Sequence, residues 1–375
     1  KVSLDLTVEI DDKMMKSKIN ILLFIWIVFS ACTKDAVQFI PYSNTEIEYW
    51  GRLDSSSKKG VDLYWSGSSI KVNFEGESIQ ALLQDESGDN YYNVIIDEDS
   101  LVLLRPNKSK KYHQLASNLS RGKHSIEIFK RTEWDRGKTR FFGFKLANDA
   151  HLLPRSSPRK RKIEFYGNSI TAGYAVEDFS GRDSPDSTYT NNYLSYAAIT
   201  ARHFDAEYQC ICRSGIGITI SWFPLIMPQI YDRLVPSDTT SKWDFSLFNP
   251  DVVVVNLFQN DSWLVSQKNR PEYKQFIGEN IPDEAFLVQA YQQFISNLRS
   301  HYPNASIICA LGNMDATKVG SEWPKYIEKA VENLNDAKLF THFFPYKETR
   351  GHPSIQEQEE MAKSLIQFID SSIQW

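Results

Sequence analysis

A chain of 375 residues has room for two ordinary domains, and a hydrophobic share of 42% supports packed cores rather than disorder. Its 42 Lys and Arg against 47 Asp and Glu leave a formal charge of -5, so the electrostatics give no reason to expect a nucleic-acid partner or a polyanionic substrate.

In chain order, Lys16 and Lys18 precede an apolar run from Ile21 to Phe29 and then small residues before Cys32, the pattern of a secretory signal peptide. The run falls short of the ~20 apolar residues that cross about 30 Å of hydrocarbon, which argues against a spanning anchor. The first dozen residues, upstream of Met14 and Met15, read as an over-extended gene start and are set aside. Phe29-Ser30-Ala31-Cys32 resembles the lipobox of bacterial lipoproteins, with Phe29 where Leu is usual. That resemblance implies an exported protein, lipid-anchored at Cys32 to the cell envelope or cell surface. Cys210, Cys212 and Cys309 then remain, an odd number that makes a poor disulfide framework. Cys210 and Cys212 share one face of a predicted strand but lack further metal ligands nearby, so all three read as small core residues. No metal or cofactor is expected.

Residues 33–153 show short β-rich segments: Val61–Trp65, Ser69–Phe74, Ile79–Leu83, Tyr91–Ile96, Ser125–Lys130 and Phe141–Leu146. Turn signals such as Glu75-Gly76, Ser87-Gly88-Asp89-Asn90 and Arg121-Gly122 separate them, which predicts an antiparallel sandwich of jelly-roll type. Tyr49, Trp50, Tyr64, Trp65, Tyr91 and Tyr92 are available for sugar stacking, but strand core is the simpler use for most of them. Pro154–Lys162 combines two prolines, two serines and a run of charge, the composition of a solvated linker.

From residue 163 the rhythm changes to apolar strands separated by helical patterns: Ile163–Tyr166, Tyr208–Ile211, Val252–Leu257, Ser306–Leu311 and Leu339–Phe344. The unbroken β-branched run Val252–Val255 is expected of a parallel strand covered on both faces. A last helix from about Ser354 to Ile373 puts Met361, Leu365, Phe368, Ile369 and Ile373 on one stripe. Residues 163–375 are therefore expected to form a three-layer α/β fold with ligands at the carboxyl ends of its strands.

Four of those strand ends carry chemistry. Lys162-Ile-Glu-Phe-Tyr-Gly-Asn-Ser-Ile-Thr-Ala-Gly-Tyr174 places Ser169 where strand passes into helix, a position suited to a nucleophile and equally to a plain N-cap. After the second strand, Arg213-Ser214-Gly215-Ile216-Gly217 offers backbone N–H groups open at Gly215, or simply a glycine turn. The third strand leads into Asn256-Leu-Phe258-Gln-Asn260-Asp261-Ser-Trp263, where Asn260 is an amide donor or half of a common Asn-Asp turn. The fifth leads into Gly351-His352-Pro353-Ser354, with Pro353 suited to the first helical position and His352 able to act as a base near neutral pH.

These four blocks in this order resemble the SGNH hydrolase superfamily. The resemblance implies Ser169 as nucleophile, His352 as general base, and an oxyanion hole made by the N–H groups of Ser169 and Gly215 with the side chain of Asn260. Preceded by a jelly-roll-type sandwich, the flavodoxin-like parallel sheet is most similar to carbohydrate esterase family 2, whose members deacetylate polysaccharides such as xylan and mannan. The family implies an aromatic residue near the oxyanion Asn, matched by Trp263, and Phe258 stands where the superfamily has glycine, next to the acyl pocket. Asn168 replaces the usual Asp before the serine. Thr349 stands where an Asp three residues before the histidine is usual, which leaves the Arg350 carbonyl or Glu348 to orient the imidazole. The implied activity is serine esterase action on acetylated polysaccharide or oligosaccharide. Two alternatives stay open: an inactive carbohydrate-binding lipoprotein, and an esterase or thioesterase for other acyl groups.

Overall fold

Short alternating segments cannot bury an apolar face alone, and here they assemble into two antiparallel sheets that cover one another. The computed structural model describes residues 37–147 and 149–375; the signal-like segment and Cys32 lie outside the described residues. The first twelve strands are β1 (Val37–Pro41), β2 (Glu48–Trp50), β3 (Leu53–Asp54), β4 (Val61–Leu63), β5 (Ser69–Glu75), β6 (Ile79–Asp85), β7 (Tyr92–Ile96), β8 (Ser100–Leu104), β9 (Lys111–Ala116), β10 (Lys123–Lys130), β11 (Thr139–Ala147) and β12 (His151–Leu152). One sheet runs β3-β4-β11-β6-β9 with β1 added on β11, and the other runs β12-β5-β10-β7-β8 with β2 added on β5. Ile70, Val72, Phe74, Ile126 and Ile128 of one sheet meet Leu63, Ala81, Leu83, Phe141 and Phe144 of the other in a single core.

The second half builds a five-stranded sheet from β13 (Arg161–Gly167), β14 (Ala206–Cys212), β15 (Val252–Asn256), β16 (Ser306–Leu311) and β17 (Leu339–Phe343). Every pairing is parallel and the order is β14-β13-β15-β16-β17, the flavodoxin-like doubly wound arrangement. The helices are α1 (Ser169–Ala172), α2 (Tyr196–His203), α3 (Met227–Ile230), α4 (Gln259–Leu264), α5 (Pro271–Phe276), α6 (Glu284–His301), α7 (Trp323–Leu334) and α8 (Ile355–Ser372). Strand alternation decides the layers. Val253 and Val255 pack with Tyr291, Ile295 and Leu298 of α6, whereas Val252 and Val254 pack with Ala197 and Ala201 of α2 and Leu365 and Ile369 of α8. None of the helices among the described residues is long and apolar enough to cross a membrane.

Helix α8 begins two residues later than Pro353. Ser354 is its N-cap and Glu357 closes a capping box, Glu357 Oε2 accepting the Ser354 N–H at 2.8 Å, so Pro353 lies outside the helix rather than at its first position. Ser354→Ala is expected to lower the unfolding free energy by about 1 kcal/mol. A urea midpoint equal to that of the wild type would contradict the capping role.

The sandwich covers the β14 edge of the parallel sheet, an edge that would otherwise be open. Phe129 stacks on Tyr208 with ring centroids 6.3 Å apart, and the Trp65 indole N–H donates to the Leu234 carbonyl at 2.9 Å. Arg52, fully buried, pairs with Glu164 at 2.9 Å and donates to the Tyr166 hydroxyl at 3.0 Å. Glu164 and Tyr166 stand on β13, the strand next to the β14 edge, so this ion pair ties the sandwich to the interior of the second sheet. Of the six aromatic residues considered for sugar stacking, Tyr64, Trp65, Tyr91 and Tyr92 are buried. Trp50 lies between the Lys71 ammonium at 3.5 Å and the Arg159 guanidinium at 4.4 Å. Cys210, Cys212 and Cys309 are buried and free.

Candidate active site

The carboxyl ends of the three neighbouring strands are level, because Gly167 of β13 pairs with Cys212 of β14 and with Asn256 of β15. The loops that leave these strands therefore gather on one rim. After β13, Asn168 caps α1 by accepting the Ile170 N–H at 3.0 Å, so the Asn that replaces the usual Asp keeps the acceptor function. Ser169 is then the first helical residue, with its hydroxyl at the rim.

From the far edge of the sheet, the loop between β17 and α8 brings His352 to the same place. Its Nε2 lies 2.8 Å from Ser169 Oγ, across a sequence separation of 183 residues. On its other side Nδ1 lies 2.9 Å from Asp183 Oδ2, off the line of a straight ring N–H bond, while the His352 backbone N–H donates to Asp183 Oδ1 at 2.7 Å. Burial works to raise the Asp183 pKa, but the adjacent His352 imidazole, the hydrogen bond from the His352 backbone N–H and the nearby Lys347 charge bring it below the ordinary value of 3.8. The Tyr174 ring packs edge-on against the imidazole with centroids 4.8 Å apart. Gly351 makes the approach possible: at φ +73°, a Cβ there would come 2.8 Å from Asp183 Oδ1.

Two loops supply donors. Gly215 sits at φ +82° with Trp222 packed on the face where a side chain would be, and the Trp222 N–H donates to its carbonyl at 3.0 Å. Among the described residues nothing accepts the N–H of Gly215 or of Ser169. Asn260, in the first turn of α4, donates one amide hydrogen from Nδ2 to the Ile216 carbonyl at 2.8 Å and accepts the Trp222 indole N–H on Oδ1 at 3.0 Å. Both amide atoms are thereby assigned, and the second Nδ2 hydrogen stays available. Asp261 locks the two loops together by accepting the N–H groups of Ile218, Thr219 and Ile220 and the Thr219 hydroxyl, which donates at 2.7 Å. Burial pushes the Asp261 pKa up against the pull of these hydrogen bonds. Among the described residues, no three His, Cys, Asp or Glu side chains come together as a metal site would require.

Two sequence expectations change. Neither Glu348 nor the Arg350 carbonyl orients His352: Glu348 is exposed, and the Arg350 carbonyl accepts from Lys347 Nζ at 3.3 Å. The carboxylate comes instead from Asp183, on the long loop between α1 and α2. Phe258 does not line a pocket; it is fully buried, 4.9 Å from Tyr291 and 5.1 Å from Trp323 between ring centroids, and takes a left-handed φ of +82° as the residue before α4. Trp263 is half-buried, its indole N–H donating to Asp315 Oδ2 at 2.9 Å. Trp222, 42% exposed and in contact with both Gly215 and Asn260, is the aromatic residue that the sequence reading missed.

Comparison with known proteins places this geometry. The carbohydrate esterase 2 N-terminal profile matches residues 49–155, and the GDSL-like Lipase/Acylhydrolase family profile matches residues 165–339. The cellulase/esterase CelE of Acetivibrio thermocellus is 34% identical over 343 residues, which take in 88% of this chain and 40% of that protein, so the chain spans less than half the length of that relative. An acetylxylan esterase / glucomannan deacetylase of Cellvibrio japonicus is 24% identical over 90% of this chain and 91% of its own. The structure of a family two carbohydrate esterase from Clostridium thermocellum in complex with cellohexaose superposes with a TM-score of 0.77 at 34% identity, covering 87% of this chain and 98% of that one. The chain belongs to carbohydrate esterase family 2.

Proposed function

We propose that this chain is a serine esterase that removes O-acetyl groups from polysaccharide of the xylan or mannan type through an acyl-enzyme on Ser169. The 2.8 Å approach of His352 Nε2 to Ser169 Oγ, beside N–H groups with nothing to bond, carries the reading. Ser169 Oγ attacks the acetyl carbonyl as its proton passes to His352 Nε2. The resulting oxyanion takes hydrogen bonds from the Ser169 and Gly215 N–H groups and from Asn260 Nδ2. His352 returns the proton to the departing sugar hydroxyl, then deprotonates the water that releases acetate and restores the serine. Asp183 holds the imidazole with Nδ1 protonated and balances its charge while both nitrogens carry protons.

The half-exposed ring of Trp222 beside Gly215 suits the apolar face of a sugar, and Trp263 stands one turn beyond Asn260 along α4. The names of the Cellvibrio japonicus relatives support acetyl as the group removed. Acetate release from acetylated glucomannan and acetylated xylan is expected, with kcat/KM for aryl acetates about tenfold or more above that for aryl butyrates. Equal rates on the longer ester would favour a general acyl esterase. We further propose export and lipid attachment at Cys32, supported by the Lys16–Phe29 pattern and the Phe29–Cys32 sequence.

A further inference from the structure

The sandwich reaches the reaction centre through one turn. Between β10 and β11 the chain folds into a 3-10 turn, Trp134–Arg136, entered through Glu133. Lys130 shapes this turn from below, Nζ donating to the carbonyls of Thr132 at 2.8 Å and Glu133 at 3.2 Å. Glu133 itself is only 6% exposed. Burying a carboxylate is costly unless its oxygens are hydrogen-bonded, and burial, with Asp135 beside it, pushes the Glu133 pKa up.

Both of its oxygens are used on one residue of the other domain. The Ser214 N–H donates to Oε2, and the Ser214 hydroxyl donates to Oε1 at 2.6 Å. Ser214 immediately precedes Gly215, and the planar peptide that carries the Gly215 N–H includes the Ser214 carbonyl. Glu133 fixes the peptide before that plane, through the Ser214 N–H, and the Ser214 side chain, while the Trp222 N–H, bonded to the Gly215 carbonyl at 3.0 Å, fixes the peptide after it. Arg213 is fixed too, 3.6 Å from Asp135 and 4.7 Å from the Trp134 ring. The same turn touches the loop of Asp183, because Arg136 donates to the Pro185 carbonyl at 3.1 Å.

We propose that Glu133 is a positioning residue for the Gly215 oxyanion donor, so that the sandwich takes part in turnover and not only in domain packing or substrate attachment. The inference rests on the esterase reading of Ser169, Gly215 and Asn260. It requires that loss of Glu133 lower the chemical step while leaving substrate affinity nearly as it was.

The test uses the full chain with an aryl acetate and with methylboronic acid, which forms a tetrahedral adduct on a reactive serine. Deleting an oxyanion donor outright costs roughly 100- to 1,000-fold, so misaiming one through Glu133→Ala should lower kcat roughly 10- to 100-fold with KM within about two-fold. Boronate affinity should weaken in parallel. Glu133→Gln keeps one acceptor oxygen and should recover part of the loss. Arg159→Ala, which removes the contact of Arg159 with the Trp50 ring and its hydrogen bond to the Ala206 carbonyl at the amino end of β14, serves as the structural control: a lower Tm with kcat within about two-fold. An unchanged kcat in Glu133→Ala overturns the proposal, as does a fall in kcat without a fall in boronate affinity. If Glu133→Ala does not fold, Glu133→Gln decides: reduced kcat and boronate affinity support the proposal, and wild-type values overturn it. Absence of hydrolysis by the wild type would instead overturn the underlying esterase reading.

Discussion

Ser169→Ala should lower kcat for aryl acetates and for acetylated glucomannan by roughly four to six orders of magnitude, because no other group in the site can form the acyl-enzyme. Ser169 is 5% exposed and its hydroxyl is bonded to His352, so removal of the hydroxyl takes away one hydrogen bond and little packing. Stability should change by about 1 kcal/mol or less. The loss therefore belongs to chemistry, and a circular dichroism melt that overlays the wild type while acetate release disappears is the expected pair of results. Measurable acetate release by a folded Ser169→Ala protein would require a different nucleophile.

Asp183→Asn should lower kcat by about two to four orders of magnitude with KM nearly unchanged. The carboxylate accepts the His352 backbone N–H on one oxygen and faces Nδ1 with the other. An amide of the same shape that keeps its oxygen on the backbone N–H presents N–H to Nδ1 and drives the ring proton to Nε2, where it blocks acceptance of the serine proton. The effect corresponds to about 3 to 5 kcal/mol of transition-state stabilisation. A loss under about threefold would show that the imidazole is oriented by something else. The acid limb depends on the same group. Its pKa is depressed in the folded chain, so its contribution to stability is complete at neutral pH and is lost as the pH falls through the folded value, below 3.8. Asp183→Asn should lack that part of the acid destabilisation.

Much of this arrangement was legible in the residues. Val252–Val255 announced a buried parallel strand because β-branched residues on both faces need cover on both faces, and the alternate valines do pack into separate layers. Ser169, Gly215, Asn260 and His352 were readable since each lies on the connection that leaves the carboxyl end of a strand, so the sheet carries them to one rim. Asp183 and Glu133 were not. Asp183 lies on a loop without apolar period whose path is fixed from outside, by Arg131 donating to the carbonyls of Thr188 at 2.8 Å and Thr190 at 3.2 Å and by Arg136 on Pro185. Glu133 belongs to the sandwich, and its partner Ser214 is 81 residues away. Edge strands were missed for a different reason: β8 exposes four of its five residues and β9 has no clean alternation of burial, so neither carries the pattern that marks a half-buried strand. Phe258 was misread because a bulky residue in place of glycine suggested a pocket wall, whereas its left-handed backbone turns the ring into the layer of α6 and α7.

Capture of the intermediate tests the central claim most directly. The full chain is mixed with an excess of aryl acetate, quenched in acid within the first turnovers, digested and read by mass spectrometry. One acetyl group on the peptide that contains Ser169, absent from Ser169→Ala, is the expected result; acetyl on another residue, or steady hydrolysis with no acylated peptide in a mutant that retains Ser169 but lacks His352, would contradict it.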